Sequence, residues 1–145
     1  MKVLSALIVF FMILNINAQQ NMDKKSVLLN KLFEVTQTEQ IAPALVSTIL
    51  NNFKKNASNI PSWYWEDIKR NIPYKEFNTK VKQLYMNNYS EKEIEELLTL
   101  YKPETMNVYK EKSKKIEPQL YLLGNEFGKN VVKIITNKIQ TYKPN

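Results

Sequence analysis

Apolar residues recur at helical spacing along most of this chain, and this pattern constrains the fold more than any other feature of the sequence. In the segment 40–54 the residues that share one helix face stand four positions apart: Ile41, Leu45, Ile49 and Phe53. Such spacing predicts an amphipathic helix. The sequence shows no sustained alternation of apolar and polar residues and no Asn-Gly or Asp-Gly turn, so strands are not indicated. We therefore predict an all-α fold.

Prolines and capping residues mark where the helices begin and end. The first predicted helices span about 24–36, 40–54, 61–71 and 74–88. The next begins at Ser90-Glu91-Lys92-Glu93, which has the S-x-x-E pattern of a capping box, and Pro103 interrupts it. One helix then resumes near Glu104, and the last runs from Pro118 to about Gln140, before a tail that we expect to be frayed from Thr141 to Asn145. The apolar side of this last helix is predicted to include Leu122, Phe127, Val131 and Ile135.

The only two glycines, Gly124 and Gly128, form a G-x-x-x-G pattern inside the last predicted helix. In a lipid-facing helix this pattern favours a dimer contact, but the polar residues Asn125, Glu126 and Lys129 around it exclude a membrane span. Glycine inside a helix costs about 1 kcal/mol relative to alanine, so we expect a packing gain in return. We therefore predict that another helix backbone packs closely against these two glycines.

Residues 1–18 differ from the rest of the chain and are typical of a secretory signal peptide. Lys2 gives a positive start, the segment 3–16 is almost wholly apolar, and Ile16-Asn17-Ala18 supplies a small residue at the expected cleavage site. The apolar segment is shorter than the roughly 18 residues of a membrane span. We predict cleavage after Ala18, with an uncleaved N-terminal anchor as the alternative. Residues 19–145 would then form one compact domain of about five to six amphipathic helices, exported to the periplasm or the medium.

The absence of histidine and cysteine removes several classes of chemistry. Ser-His-Asp catalysis, thiolate nucleophiles, disulfide bonds and the usual structural zinc sites are all excluded. The sequence contains no G-x-G-x-x-G or G-x-x-x-x-G-K-[ST] motif, so no phosphate-cradling loop is recognisable. We expect no cofactor, no metal ion and no enzymatic activity.

Carboxylates are the catalytic side chains that remain. They form two groups: Glu91, Glu93, Glu95 and Glu96 in one predicted helix, and Glu66 with Asp67 in another. A glycosidase needs only two carboxylates, so a carboxylate-only hydrolase stays an alternative. However, the larger group lies on the polar side of its helix, where acidic residues in the first turn complement the helix dipole. We interpret it as a solvated, helix-stabilising surface.

The positive charge of the chain is carried almost wholly by lysine. Lysine and arginine number 21 against 14 acidic residues, which gives a formal net charge of +7. Arg70 is the only arginine. Arginine is the usual residue for bidentate recognition of phosphates and base edges, so we expect no specific nucleic-acid binding.

The three consecutive aromatic residues Trp63-Tyr64-Trp65 are the strongest surface signal. At 100° per residue they cannot all face the core, so at least one points partly outward. An outward Trp63 or Tyr64 near Lys69 and Arg70 would serve as a binding anchor or as an interfacial membrane contact. In the alternative interpretation, Trp65 belongs to the core and the other two cover a neighbouring loop. Trp63, Tyr64, Lys69 and Arg70 are the predicted contact residues.

Three segments resemble the bacterial exported family called domain of unknown function 2059. They are Ile60-Pro61-Ser62-Trp63-Tyr64-Trp65, Tyr89-Ser90-Glu91-Lys92-Glu93, and the segment 100–106, which corresponds to the family's F-Y-x-S-P-x-G. In the third segment Leu100 replaces the phenylalanine, the proline comes one residue early, and Met106 stands in place of the glycine. The resemblance implies an all-helical envelope or secreted protein and implies no reaction.

Besides the carboxylate-only hydrolase, two functions are compatible with these observations. The leading hypothesis is a small exported module that binds another envelope protein and has no catalysis of its own. The alternative is a peripheral binder of an anionic membrane or cell-wall surface, through lysines and the Trp/Tyr cluster.

Overall fold

The structure is a computed structural model, and it describes residues 24–57 and 59–143. Within these ranges the chain forms helices and short turns and contains no strand, which confirms the all-α prediction. The helices are α1 (24–35), α2 (Ile41–Asn56), α3 (Ser62–Arg70), α4 (Tyr74–Asn88), α5 (Glu91–Leu100), α6 (Met106–Ser113) and α7 (Glu117–Thr141). None of these helices is long and apolar enough to cross a membrane. The predicted signal peptide, residues 1–18, lies outside the described residues.

The longest helix, α7, organises the fold by packing against α2, α3 and α4. The rings of Phe77 in α4 and Phe127 in α7 have centroids 4.4 Å apart. Further along, the side-chain amide of Asn88 donates a hydrogen bond to Gln119 at 3.2 Å. The first contact joins the start of α4 to the middle of α7. The second joins the end of α4 to the start of α7. The two helices therefore run antiparallel.

The core is apolar, and no polar or charged residue is buried in the part of the chain that the structure describes. Its fully buried side chains come from six different elements: Leu29, Leu32, Val46, Ile68, Ile94, Leu97, Ile116, Val131 and Ile135. Trp65 is only 3% exposed, and its indole N–H donates to the carbonyl of Ile60 at 3.2 Å. The fold is therefore stabilised mainly by apolar burial. The indole nitrogen of Trp65, the one polar atom of that side chain, is satisfied by its hydrogen bond to Ile60.

The predicted capping box is present at the start of α5. The backbone N–H of Glu93 donates to Ser90 Oγ at 3.3 Å, and the backbone N–H of Ser90 donates to Glu93 Oε2 at 2.7 Å. The ammonium group of Lys115 lies 2.7 Å from Glu93 Oε1. The hydrogen bond from Lys115, followed by those from Ser90, lowers the pKa of Glu93 to about 2 from an ordinary value of 4.5.

We expect the charge on Glu93 to contribute a pH-dependent part of the stability. A depressed pKa in the folded state stabilises the protein above the unfolded pKa, and this contribution is lost as the pH falls from about 4.5 towards 2. Glu93→Gln keeps the S-x-x-Q capping pattern and removes the charge. At neutral pH we expect this variant to be less stable by under about 1 kcal/mol, because the side chain is solvent-screened. Urea unfolding should show the difference shrinking towards pH 2, and a constant difference would contradict the assignment.

Among the described residues, no other helix packs closely against the two glycines, so the prediction of a close backbone contact is wrong there. A Cβ atom built on Gly124 or Gly128 meets no atom of residues 24–57 or 59–143 within 4 Å. Helical periodicity puts these glycines on the same side of α7 as Ile135, which is fully buried. That side of α7 is therefore buried at Ile135, in the C-terminal half of the helix, whereas the space beside the two glycines is empty of other described atoms.

Gly124→Ala and Gly128→Ala are each expected to raise the free energy of unfolding by about 0.4–1 kcal/mol. Alanine is the better helix former, and the added methyl group has free space at both positions. Urea denaturation of the two single variants measures the effect. A loss of stability in either variant would mean that the site is more crowded than the structure shows.

Candidate functional site

The helix α3 turns its two tryptophans in opposite directions. It begins after Pro61, whose extended conformation sends the chain into the first turn. Two residues along a helix correspond to about 200°, so with Trp65 in the core Trp63 must face away from it. Trp63 is 63% exposed. The prediction that at least one of the three aromatic residues points outward is confirmed, and so is the interpretation of Trp65 as a core residue.

Tyr64 joins the start of α3 to the end of α7. Its side chain is half-buried, and its hydroxyl group donates to the carbonyl oxygen of Lys138 at 2.8 Å. Its ring centroid lies 5.5 Å from that of Trp63 and 4.7 Å from that of Tyr142. We call Trp63, Tyr64 and Tyr142 the aromatic cap. Within this cap, the exposed indole of Trp63 is supported by a tyrosine that is itself held by a hydrogen bond.

The two predicted basic contact residues lie on different sides of α3. Arg70 is seven residues from Trp63, which puts both on one exposed face, about 10 Å apart along the helix axis. Lys69 lies about a third of a turn away from that face and is half-buried. The structure therefore brings Arg70, but not Lys69, to the surface that carries Trp63.

The charges around the aromatic cap are of both signs. Glu66 is exposed on the same face as Trp63 and Arg70. Asp67 accepts a hydrogen bond from the ammonium group of Lys138 at 3.1 Å. Lys143 lines the shallow groove between the start of α3 and the end of α7, beside Trp63. The surface is thus a mixed one, and the carboxylates Glu66 and Asp67 take part in it as surface charges.

Sequence reasoning missed the contribution of α7 to this surface. The tail from Thr141 onward was expected to be frayed, yet Thr141 is the last residue of α7 and Tyr142 packs on Tyr64. The expectation is wrong for these two residues, while 144–145 lie outside the described residues. The aromatic residue in the tail was the only available signal, and it carried no information about which helix it would meet.

The larger carboxylate group ties α5 to three other elements. Glu91 and Glu95 pair with Lys24 of α1, Glu96 pairs with Lys112 of α6, and Glu93 pairs with Lys115 of the short turn Lys114–Ile116. These pairs agree with the interpretation of a solvated, structural surface. The lowered pKa of Glu93 is the opposite of the raised value that a general acid requires. Across the described ranges, no three His, Cys, Asp or Glu side chains come together in a way that could hold a metal ion.

Comparison of the chain with protein-family models, curated proteins and solved structures finds no match. The resemblance to the family called domain of unknown function 2059 therefore stays a prediction.

Proposed function

We propose that the protein is an exported, non-catalytic interaction module that docks onto another protein of the bacterial envelope through the aromatic cap. The observation that carries this proposal is the exposed indole of Trp63, supported by Tyr64 and Tyr142. Tryptophan, tyrosine and arginine are enriched among the residues that dominate the binding energy of protein interfaces. A side chain that is already held in place also loses little conformational freedom on binding.

The mixed charge around the cap supports a protein partner. Glu66 and Arg70 flank Trp63 on its own face, and the Asp67–Lys138 pair lies beside Tyr64. A polar rim with both signs of charge around an aromatic centre is the usual composition of a protein–protein interface. A surface selected only for a polyanion would not carry two carboxylates next to its anchor.

The second candidate function is peripheral attachment to an anionic lipid or cell-wall surface. It is supported by the net charge of +7 and by Lys143, which lies in the groove beside Trp63. Tryptophan and tyrosine are typical of membrane–water interfaces, and each nearby lysine adds attraction to an anionic surface.

A retention experiment at two salt concentrations distinguishes the two candidates. The purified protein is immobilised and exposed to an envelope extract, and in parallel to vesicles of anionic lipid, at low salt and at about 1 M salt. The Debye length falls to about 3 Å at 1 M, so attachment by exposed lysines should be lost while an aromatic contact persists. Retention of one protein at high salt supports a protein partner, and loss of this retention in Trp63→Ala supports docking through the cap. Retention on vesicles alone, and at low salt alone, would reject it in favour of the second candidate.

A further inference from the structure

A groove between α6 and the start of α7 forms a second concave surface, separate from the aromatic cap. Its floor is aromatic and apolar, made by Tyr85 of α4, Tyr109 of α6 and Leu120 of α7. Its rim carries the half-buried Ser113 and the exposed residues Lys110, Lys114, Glu117 and Tyr121. The volume of about 620 Å³ lies within the roughly 300–1,000 Å³ of small-molecule sites.

The hydroxyl group of Tyr85, at the floor of this groove, makes no hydrogen bond to the described residues. The residue is 8% exposed, and its ring is packed by Phe33 at 5.1 Å and by Tyr89 at 5.4 Å between centroids. The stacked neighbour, Tyr89, donates its hydroxyl hydrogen to the carbonyls of Lys112 and Ser113 at 3.2 and 3.3 Å. The hydroxyl of Tyr85 has no such partner among the described residues, although it is not sealed from solvent. Burial also raises the pKa of Tyr85, so it remains a hydrogen-bond donor at neutral pH.

The charges at the rim favour a negatively charged group. Lys110 makes no ion pair within the described residues, and Lys114 pairs only with Glu111, three residues away, at 2.7 Å. An exposed pair of this kind contributes little, so Lys114 can turn to a ligand. The groove also lies at the N-terminus of α7, the positive end of a 25-residue helix. Among the described residues that line the groove, Glu117 is the one carboxylate, and it opposes these positive charges.

We infer that this groove binds a small amphiphilic anion, whose apolar body lies on Tyr109 and Leu120 and whose acidic group accepts a hydrogen bond from Tyr85 and is attracted by Lys110 and Lys114. These five residues come from α4, α6, the short turn Lys114–Ile116 and α7, and none of them belongs to the aromatic cap. Both activities can therefore belong to one chain, and each can be tested without the other.

Calorimetric titration of the purified protein with decanoate tests the inference, with decanol as the uncharged comparison. We expect saturable binding of decanoate and weaker binding of decanol. Tyr85→Phe keeps the ring and removes the hydroxyl, and should weaken decanoate binding about two- to tenfold. Lys110→Gln with Lys114→Gln should weaken it about two- to fivefold per lysine, whereas Glu117→Gln should tighten it. Lys129→Gln, an exposed lysine on α7 that does not line the groove, should leave it unchanged.

The charge variants test the site even if Tyr85→Phe alters folding, because the lysine variants should weaken decanoate binding and Glu117→Gln should tighten it. Glu117 and the two lysines are exposed, so their replacement should leave the circular dichroism and the unfolding midpoint almost unchanged. Absence of saturable binding, equal affinity for decanoate and decanol, or no change in Glu117→Gln would each overturn the assignment.

Discussion

Trp65→Ala is expected to lower the free energy of unfolding by about 3–5 kcal/mol, the range for a large aromatic residue lost from a core. Trp65 is 3% exposed and belongs to the apolar core. The substitution also leaves the carbonyl of Ile60 without its donor and removes the ring that lies 6.0 Å from the ammonium of Lys54. Urea unfolding monitored by circular dichroism measures the loss, which is a large fraction of the about 5–15 kcal/mol typical of a native protein.

Trp63→Ala is the matched control, because it removes the same side chain from the same helix. Its indole is 63% exposed, so we expect the free energy of unfolding to change by no more than about 0.5 kcal/mol. A destabilisation comparable to that of Trp65→Ala would mean that Trp63 belongs to the core, and the aromatic cap would then not exist as a docking surface.

The same Trp63→Ala variant is expected to lose at least about 2 kcal/mol of binding free energy to the retained partner, or about 30-fold in affinity. The aromatic cap has one exposed indole at its centre, and neither Tyr64, which is half-buried, nor Tyr142 can replace its contact area. The measurement is the dissociation constant of wild type and variant for the protein that is retained at high salt. Because we expect this variant to fold as wild type does, the loss reports on the contact itself.

Tyr121→Ala is the control for this binding prediction. Tyr121 is 72% exposed and lies at the rim of the α6–α7 groove, away from the cap. We expect its replacement to leave the affinity for the partner unchanged. If Trp63→Ala binds as tightly as wild type, the partner docks elsewhere and the proposed role of the cap is wrong. If both substitutions weaken binding equally, the contact extends beyond the cap.

Local sequence features determined the positions of the helices. The predicted start and end of α4 agree with Tyr74–Asn88, and the capping box of Ser90 and Glu93 forms as the S-x-x-E pattern indicates. Both depend on contacts within a few residues along the chain. Helical periodicity and caps are properties of a short segment, so the sequence by itself contains them.

The lining of the α6–α7 groove shows where such local reasoning stops. Tyr85 stands on the predicted apolar side of α4 and is buried as expected. Its stacked neighbour Tyr89 has a hydroxyl partner in α6, whereas Tyr85 has none among the described residues. This difference depends on where the end of α6, with the carbonyls of Lys112 and Ser113, lies relative to Tyr89, and no spacing within α4 encodes that position.

The sequence by itself determined that the chain is helical, where its helices begin and end, and that Trp63, Tyr64 and Trp65 cannot all be buried. Only the tertiary structure decided which side of each helix is covered. It left Leu122 65% exposed although the pattern assigned it to the apolar side of α7, and it left Gly124 and Gly128 open. It also packed Tyr142 onto Tyr64. A helical pattern states which side chains could be buried together, but burial requires a neighbouring helix that reaches that side, and only long-range packing supplies it.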